Sequence, residues 1–403
     1  MNVLFVTNYF GLHGSTISLL SLSSDLKKQG HNVFFIGGDG QLMRQFQDIA
    51  KYMVVMKNRN YLPSMKKVAL IQRFVKKYDV DVIIGIGKFI ALECQLTSVV
   101  LKRIQPITMM NFSPRRFHWQ EHPQWHVPKV GFLTVTCLFY KDLSVNLYQW
   151  LTQNIYLLSA RYAIPDTMVR EDISINERKT VLFIRRLDSP KYSLILKSLE
   201  QLSRWNIWRS WSIKIVGGGT HEDIVKKKID EIKNHFPEAD IVWLGPRKNI
   251  MELLAKSDIV IGSERVVVEG MIQGCLALLA CDNGLIDLIT PENIEKYSYD
   301  NFFGYNYSPL APITIKHKLF SVLSDVGQIY RVIRGNYEYV KAHFDVRFGS
   351  NVLADLIRQS TERLLSPREV ISGVWKIFVS WVTIYFYLIK DRMNPYAGGS
   401  RGD

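Results

Sequence analysis

The chain is poor in cysteine. Its four thiols, Cys94, Cys137, Cys275 and Cys281, are scattered and form no C-x-x-C pair. That pattern supplies neither a disulfide framework nor a structural zinc set, and it fits a reducing compartment. A basic amino-terminal segment is missing too. The first lysine is Lys27, so residues 1–7 read as a first strand and not as a signal peptide. Long apolar runs are also lacking. The nearest, residues 377–389, is shorter than the roughly 20 residues of a membrane span, and Lys376 and Lys390 flank it. Acidic residues are in deficit: 37 Asp and Glu stand against 51 Lys and Arg, a formal net charge of +14. Such a balance favours polyanionic partners: nucleic acid, anionic lipid or phosphorylated substrates. Hydrophobic residues make up 47% of the 403, which excludes a disordered chain and is enough for two domains.

What is present is alternation. Strands are expected at residues 3–7, 32–36, 52–56, 80–86 and 106–110, with helices near 15–29, 64–78 and 91–103. Strands alternating with helices imply βαβ units and a parallel sheet. Residues 111–153 are less regular, aromatic, and broken by Pro114, Pro123 and Pro128. A polar stretch follows and fits a linker at 166–178. Alternation then resumes, with strands at 180–184, 212–216, 241–244, 259–261 and 277–280 and helices between them. Beyond about Asn301 the pattern is helical. The division expected is a first α/β domain at 1–165, a second at 179–345, helices over 346–393 and a disordered tail at 394–403.

The segment Val181-Leu-Phe-Ile-Arg-Arg-Leu-Asp-Ser-Pro-Lys191 is the most informative. A buried strand ends in two arginines, and Lys191 follows. In open α/β sheets, ligands bind outside the carboxyl ends of the strands. A forked guanidinium and an ammonium suit a diphosphate; the plain alternative is surface charge after a strand. Gly11, Gly14 and Ser15 lie between the first strand and helix. The glycines permit a tight turn there, and Ser15 or Thr16 is a candidate cap at a helix end that favours anions. The pattern is not G-x-G-x-x-G, which argues against a nicotinamide cofactor. Lys214-Ile-Val-Gly-Gly-Gly219 ends another strand in glycines. Ile259-Val-Ile-Gly-Ser-Glu-Arg-Val-Val-Val-Glu269 runs from a strand to Glu269, read here at the start of a helix. A carboxylate there can accept hydrogen bonds from a ribose diol, or merely complement the helix dipole.

These features, in this order, resemble glycosyltransferases of family 4, which have the GT-B architecture of two Rossmann-like parallel-sheet domains facing across a cleft. The resemblance is most specific between about 180 and 290 and weak between 111 and 178. It implies that Arg186 and Lys191 hold the donor diphosphate and act in catalysis. Gly217, Gly218, Glu264, Arg265 and Glu269 are the implied donor-binding residues, with Glu269 on the ribose. Gly11, Gly14 and Ser15 are the implied diphosphate or acceptor loop, and Asn111 and His118 the acceptor-side candidates. The donor implied is a UDP-, GDP- or ADP-sugar, with no further cofactor and no metal; no Asp-x-Asp motif closes a strand. The implied reaction is a retaining transfer to a glycan or lipid-linked acceptor in surface polysaccharide synthesis. This chain also departs from the family. Arg185 and Tyr192 replace glycines, and Ile261 stands where the first of two glutamates eight apart belongs. Asn111 holds the place of a histidine. A catalytically silent nucleotide-sugar or partner-binding protein and a sugar-nucleotide epimerase therefore remain as alternatives.

His118, His122 and His126 recur every fourth residue, but Pro123 interrupts the helix they would need to share a metal. Arg115, Arg116, Trp119 and Trp125 interleave charge and aromatics, yet no nucleic-acid fold signature accompanies them, and no nucleic-acid partner is expected. Residues 64–78 form a basic amphipathic pattern, and residues 374–389 an aromatic one. Together with the net charge they point to a cytoplasmic protein held peripherally at the anionic inner face of the membrane. For residues 374–389, packing against the first domain is the alternative.

Overall fold

The computed structural model describes residues 1–56, 64–101, 107–109, 131–146, 152–159, 161–170, 179–205 and 207–362, together with 368, 370–371, 374–375, 378–379 and 381–382. Asn111, His118, His122, His126, Arg115, Arg116, Trp119, Trp125, most of the expected linker and the tail lie outside the described residues.

The chain forms two compact units. One is Met1–Ala163 together with Phe344–Gly399, and the other is built on Ile164–His343. Each is a helix-flanked sheet. In the first, β1 (Asn2–Tyr9), β2 (Asn32–Gly38), β3 (Tyr52–Met56), β4 (Val82–Ile86), β5 (Ile107–Met109), β6 (Phe132–Val135) and β7 (Ile155–Leu157) pair in the order β3-β2-β1-β4-β5-β6-β7. All these pairings are parallel. The helices are α1 (Gly14–Lys28), α2 (Met43–Ile49), α3 (Met65–Tyr78), α4 (Lys88–Leu101) and α5 (Leu138–Asn146).

Alternation along β1 divides the core. Val3 and Phe5 face one side with Leu19, Leu22 and Leu26 of α1, while Leu4 and Val6 face the other with Ile71, Phe74 and Val75 of α3. Strands covered on both faces read as continuous apolar runs. The stretch 111–153, expected to be irregular, contains β6 and α5 in its described part. A four-residue strand buried throughout leaves no alternation to read.

The second unit contains β8 (Lys179–Ile184), α6 (Ser193–Ser203), β9 (Trp211–Val216), α7 (Glu222–His235), β10 (Asp240–Gly245), α8 (Ile250–Ala255), β11 (Ile259–Gly262), α9 (Arg265–Ile272), β12 (Leu276–Cys281) and β13 (Gly284–Leu288). Helices α10 (Ile294–Ser298), α11 (Pro312–Leu323) and α12 (Val326–Phe344) follow. The strand order is β10-β9-β8-β11-β12-β13, with β13 antiparallel to β12. Residues 165–170, expected within or beside the linker, are bound to this unit. Tyr337 donates to the Pro165 carbonyl, Lys341 to that of Asp166, and Arg170 pairs with Asp258 at 2.7 Å.

The chain then returns to the first unit. In α13 (Val346–Glu362), Leu353, Leu356 and Ile357 join the α1 side of that core. Gln29 donates to Ser350 and Asn351 at 3.0 Å, fixing α1 to α13. The last described residues, from 368 to 382, are helical.

Candidate functional site

In the second sheet the strand order reverses between β8 and β11. Chain segments leave these neighbouring strands in opposite directions there, opening the crevice where ligands of such sheets bind. Arg185, Arg186 and Lys191 follow β8; Ser263, Glu264 and Arg265 follow β11. The fold therefore brings the carboxyl ends of these two motifs together.

The two arginines differ sharply. Arg186 is half exposed, 50% for the side chain, with Asp188 at 3.7 Å. Arg185 is only 10% exposed. Its Nη1 donates to Ser263 Oγ at 2.8 Å, and its Nη2 lies 3.9 Å from Asp282 Oδ1. Its Nε is buried without a partner. Tyr305 donates to the other oxygen of Asp282 at 2.7 Å. Arg185 thus ties the end of β8 to the β11 loop and to the turn after β12. Arg186 is the arginine left open to solvent. Lys191 is half-buried in the turn before α6.

The glycines after β9 brace this loop. A Cβ on Gly217, at φ +152°, would sit 1.8 Å from the Arg185 carbonyl oxygen. One on Gly219, at φ +157°, would sit 2.6 Å from the Leu187 carbonyl carbon. Only glycine allows this approach. The two loops then bond directly: Arg185 N–H to Val216 O at 3.0 Å, Leu187 N–H to Gly218 O at 2.9 Å, and His221 N–H to Leu187 O at 2.9 Å. Tyr192 stacks on His221 at 4.5 Å. Gly218 abuts Pro246 and the Glu222 carboxylate.

Beyond β11, Glu264 precedes α9 at φ +57° and ψ −129°, a conformation costly for a side-chain-bearing residue. Its N–H is held by the Phe302 carbonyl at 2.8 Å, and Asn301 and Phe302 also have positive φ. Backbone strain of this kind gathers at functional sites. Nearby in sequence, Asp300 is fully buried and accepts the Phe303 N–H at 3.1 Å. Burial lifts its pKa to about 6, while the backbone and Asn306 donors oppose the rise.

Glu269 is not at the start of a helix. It is the fifth residue of α9, because the helix begins at Arg265, earlier than the apolar pattern suggests. One carboxylate oxygen accepts from Arg265 Nε at 2.6 Å. Burial raises the Glu269 pKa, and Arg265 pulls it back.

In the first unit the order reverses between β1 and β4. Gly11 and the start of α1 lie at that point. A Cβ on Gly11 would meet the Tyr9 ring at 2.1 Å, and one on Gly40 would meet the Phe10 carbonyl at 2.3 Å. Gly14 opens α1 after His13. Neither Ser15 nor Thr16 caps the helix: both lie inside its first turn, and His13 makes no side-chain cap bond. Sequence reasoning missed Ser263, Asp282 and Tyr305, whose role appears only once Arg185 is seen to reach them. A serine directly after a strand-ending glycine was the available signal.

No protein-family model matches the chain, and no curated protein does. Solved structures do match. A glycosyltransferase from Rickettsia africae aligns with a TM-score of 0.68 at 16% identity, covering 90% of this chain and 99% of that one. HepE of Anabaena, in complex with UDP and glucose, aligns at 0.67 and 16%, covering 89% and 99%. A UDP-GlcNAc 2-epimerase from Neisseria meningitidis, bound to UDP-GlcNAc, aligns at 0.57 and 13%, covering 89% and 100%.

Proposed function

The chain has the GT-B fold of these glycosyltransferases, and we propose that it is a glycosyltransferase using a nucleotide-diphosphate sugar. It transfers the sugar, with retention, to a glycan or lipid-linked acceptor in surface polysaccharide or glycoconjugate synthesis. Its setting is the cytoplasmic, inner face of the cell membrane. The observation that carries the reading is the β8–β11 switch point. There the Arg186 loop is locked against Gly217 and Gly219, and the strained Glu264 turn lies opposite. HepE, of the same fold, was crystallised with UDP and glucose.

On this reading Arg186 and Lys191 bind the diphosphate. As the acceptor hydroxyl replaces the nucleoside diphosphate on the anomeric carbon, these two cations stabilise the charge gathering on the leaving group. That places the neutralising charge on side chains and makes the transfer independent of a metal. Glu269, with one oxygen committed to Arg265, offers the other to the ribose hydroxyls. Glu264 and Arg265 line the donor side, with Gly217 and Gly218 giving close backbone approach. Gly11, Gly14 and Ser15 serve the acceptor or diphosphate from the first unit, with Asn111 and His118 as acceptor-side residues.

The test is product analysis with UDP-, GDP- and ADP-sugars. Transfer to an acceptor, or slow release of nucleoside diphosphate, supports the proposal. A second reading, a sugar-nucleotide epimerase, is favoured by the likeness to the Neisseria enzyme. It predicts a changed sugar with no acceptor and no released nucleotide. Binding without either product marks a silent protein.

A further inference from the structure

The last described helical residues carry an apolar stripe that faces solvent. Ile371, Val374, Trp375, Phe378, Val379 and Val382 are 72%, 43%, 66%, 58%, 41% and 53% exposed. Their spacing is i, i+3, i+4, i+7, i+8, i+11. At 3.6 residues per turn they occupy an arc of about 140° on one helix face. The neighbouring face is anchored: Val370 and Trp381 pack with Leu96 against Val99 of α4. The segment is therefore seated on the first unit while its most apolar side points outward. Exposed apolar side chains contiguous on this scale mark an interaction surface.

On the same side of the sheet, α3 packs with α4 against Leu4, Val6 and Ile83. Helix α3 has five cations and no acidic residue. Lys67 is buried and lies 3.5 Å from Glu93 of α4. Lys66, Arg73, Lys76 and Lys77 are exposed, beside an exposed Met65. Asp79 and Asp81 follow beyond the helix, where Asp81 accepts the Asn2 N–H at 2.7 Å.

We propose that this side of the first unit docks on an anionic lipid bilayer. Ile371, Val374, Trp375, Phe378, Val379 and Val382 lie in the interface, and the α3 cations rest on the headgroups. The proposal gives the membrane setting above a specific surface, and it rests on that reading only for the lipid-linked acceptor. Three observations select a bilayer over a second copy of the chain. Trp375 and Phe378 are side chains suited to the headgroup boundary. The charge along α3 is of one sign and complements anionic lipid. A net charge of +14 opposes self-association. No helix among the described residues is long and apolar enough to cross a membrane.

The test is co-sedimentation of the full chain with phosphatidylcholine vesicles, with and without phosphatidylglycerol. The wild type is expected to pellet with the anionic vesicles and to be released by salt. Trp375→Glu with Phe378→Glu should abolish pelleting without moving the melting temperature, because both side chains are exposed. Lys76→Ala and Lys77→Ala should each weaken binding about fivefold. Wild-type protein that stays in solution with anionic vesicles would overturn the proposal, as would a double variant that pellets like wild type. So would a wild-type dimer that the double variant converts to monomer, since the stripe would then belong to a second copy. Nucleotide-induced stabilisation, measured on the same samples, reports the transferase reading separately.

Discussion

Glu93→Gln should change how stability depends on pH. Glu93 is fully buried on α4. One carboxylate oxygen accepts the Ser64 N–H at 2.8 Å, while the other has no hydrogen-bond partner. Burial raises the pKa from 4.5 to about 7, against the opposing pull of Lys67 and the Ser64 N–H. The folded value exceeds the unfolded one, so the favourable contribution of the bound proton is complete below about 4.5. It is lost as pH rises through about 7. At about 1.4 kcal/mol per pH unit, the loss is about 3 kcal/mol. Glutamine keeps the acceptor for Ser64 and cannot ionise. Lys67 faces a neutral group in the variant at every pH, and in the wild type at acid pH, so its cost cancels from the comparison. Urea unfolding of both proteins at about pH 4 and about pH 8 should show the variant gaining about 3 kcal/mol relative to wild type at the higher pH. A difference between the proteins that is the same at both pH values would refute the assignment of a buried, proton-holding carboxyl.

Gly217→Ala drives a Cβ to 1.8 Å from the Arg185 carbonyl oxygen, and should cost on the order of 3 kcal/mol by denaturation. Gly30→Ala has no atom within 4 Å, and should cost only about 1 kcal/mol for its left-handed backbone; equal losses would contradict the interlocked-loop account. In the proposed role Glu269 accepts the ribose hydroxyls as a carboxylate, and its pKa is raised by burial. Wild-type donor affinity should therefore fall as pH drops through that raised value, while Glu269→Gln shows a flat titration. A pH-sensitive variant would assign the titration to another group.

Much of this architecture was legible because buried strands announce themselves. Val3–Val6, Val181–Phe183 and Ile259–Ile261 are apolar runs bounded by polar turns, and all are strand core in the structure. The strands missed are short or placed after an unusual turn. Ile155–Leu157 has too few residues for any period, and β13 carries Asp287 inside a buried run. Lys318 at 2.9 Å and Tyr297 at 3.0 Å satisfy that carboxylate, partners that no local pattern reveals. The Asn283–Gly284 pair at the start of β13 was a readable hairpin signal. At the candidate site, residue type gave charge but not direction. Arg185 and Arg186 are equivalent as letters. Only the fold turns the first toward Ser263 and leaves the second open.

We propose that Arg186, at the β8–β11 switch point, binds the diphosphate of a nucleotide sugar. Titration calorimetry with UDP-, GDP- and ADP-sugars on the wild type and on Arg186→Ala tests it most directly. At least one donor should bind the wild type, and the variant should lose roughly ten- to a hundredfold in affinity for it, the range expected for a hydrogen bond to a charged group. If no donor binds, or if Arg186→Ala binds it as tightly as wild type, the assignment is contradicted.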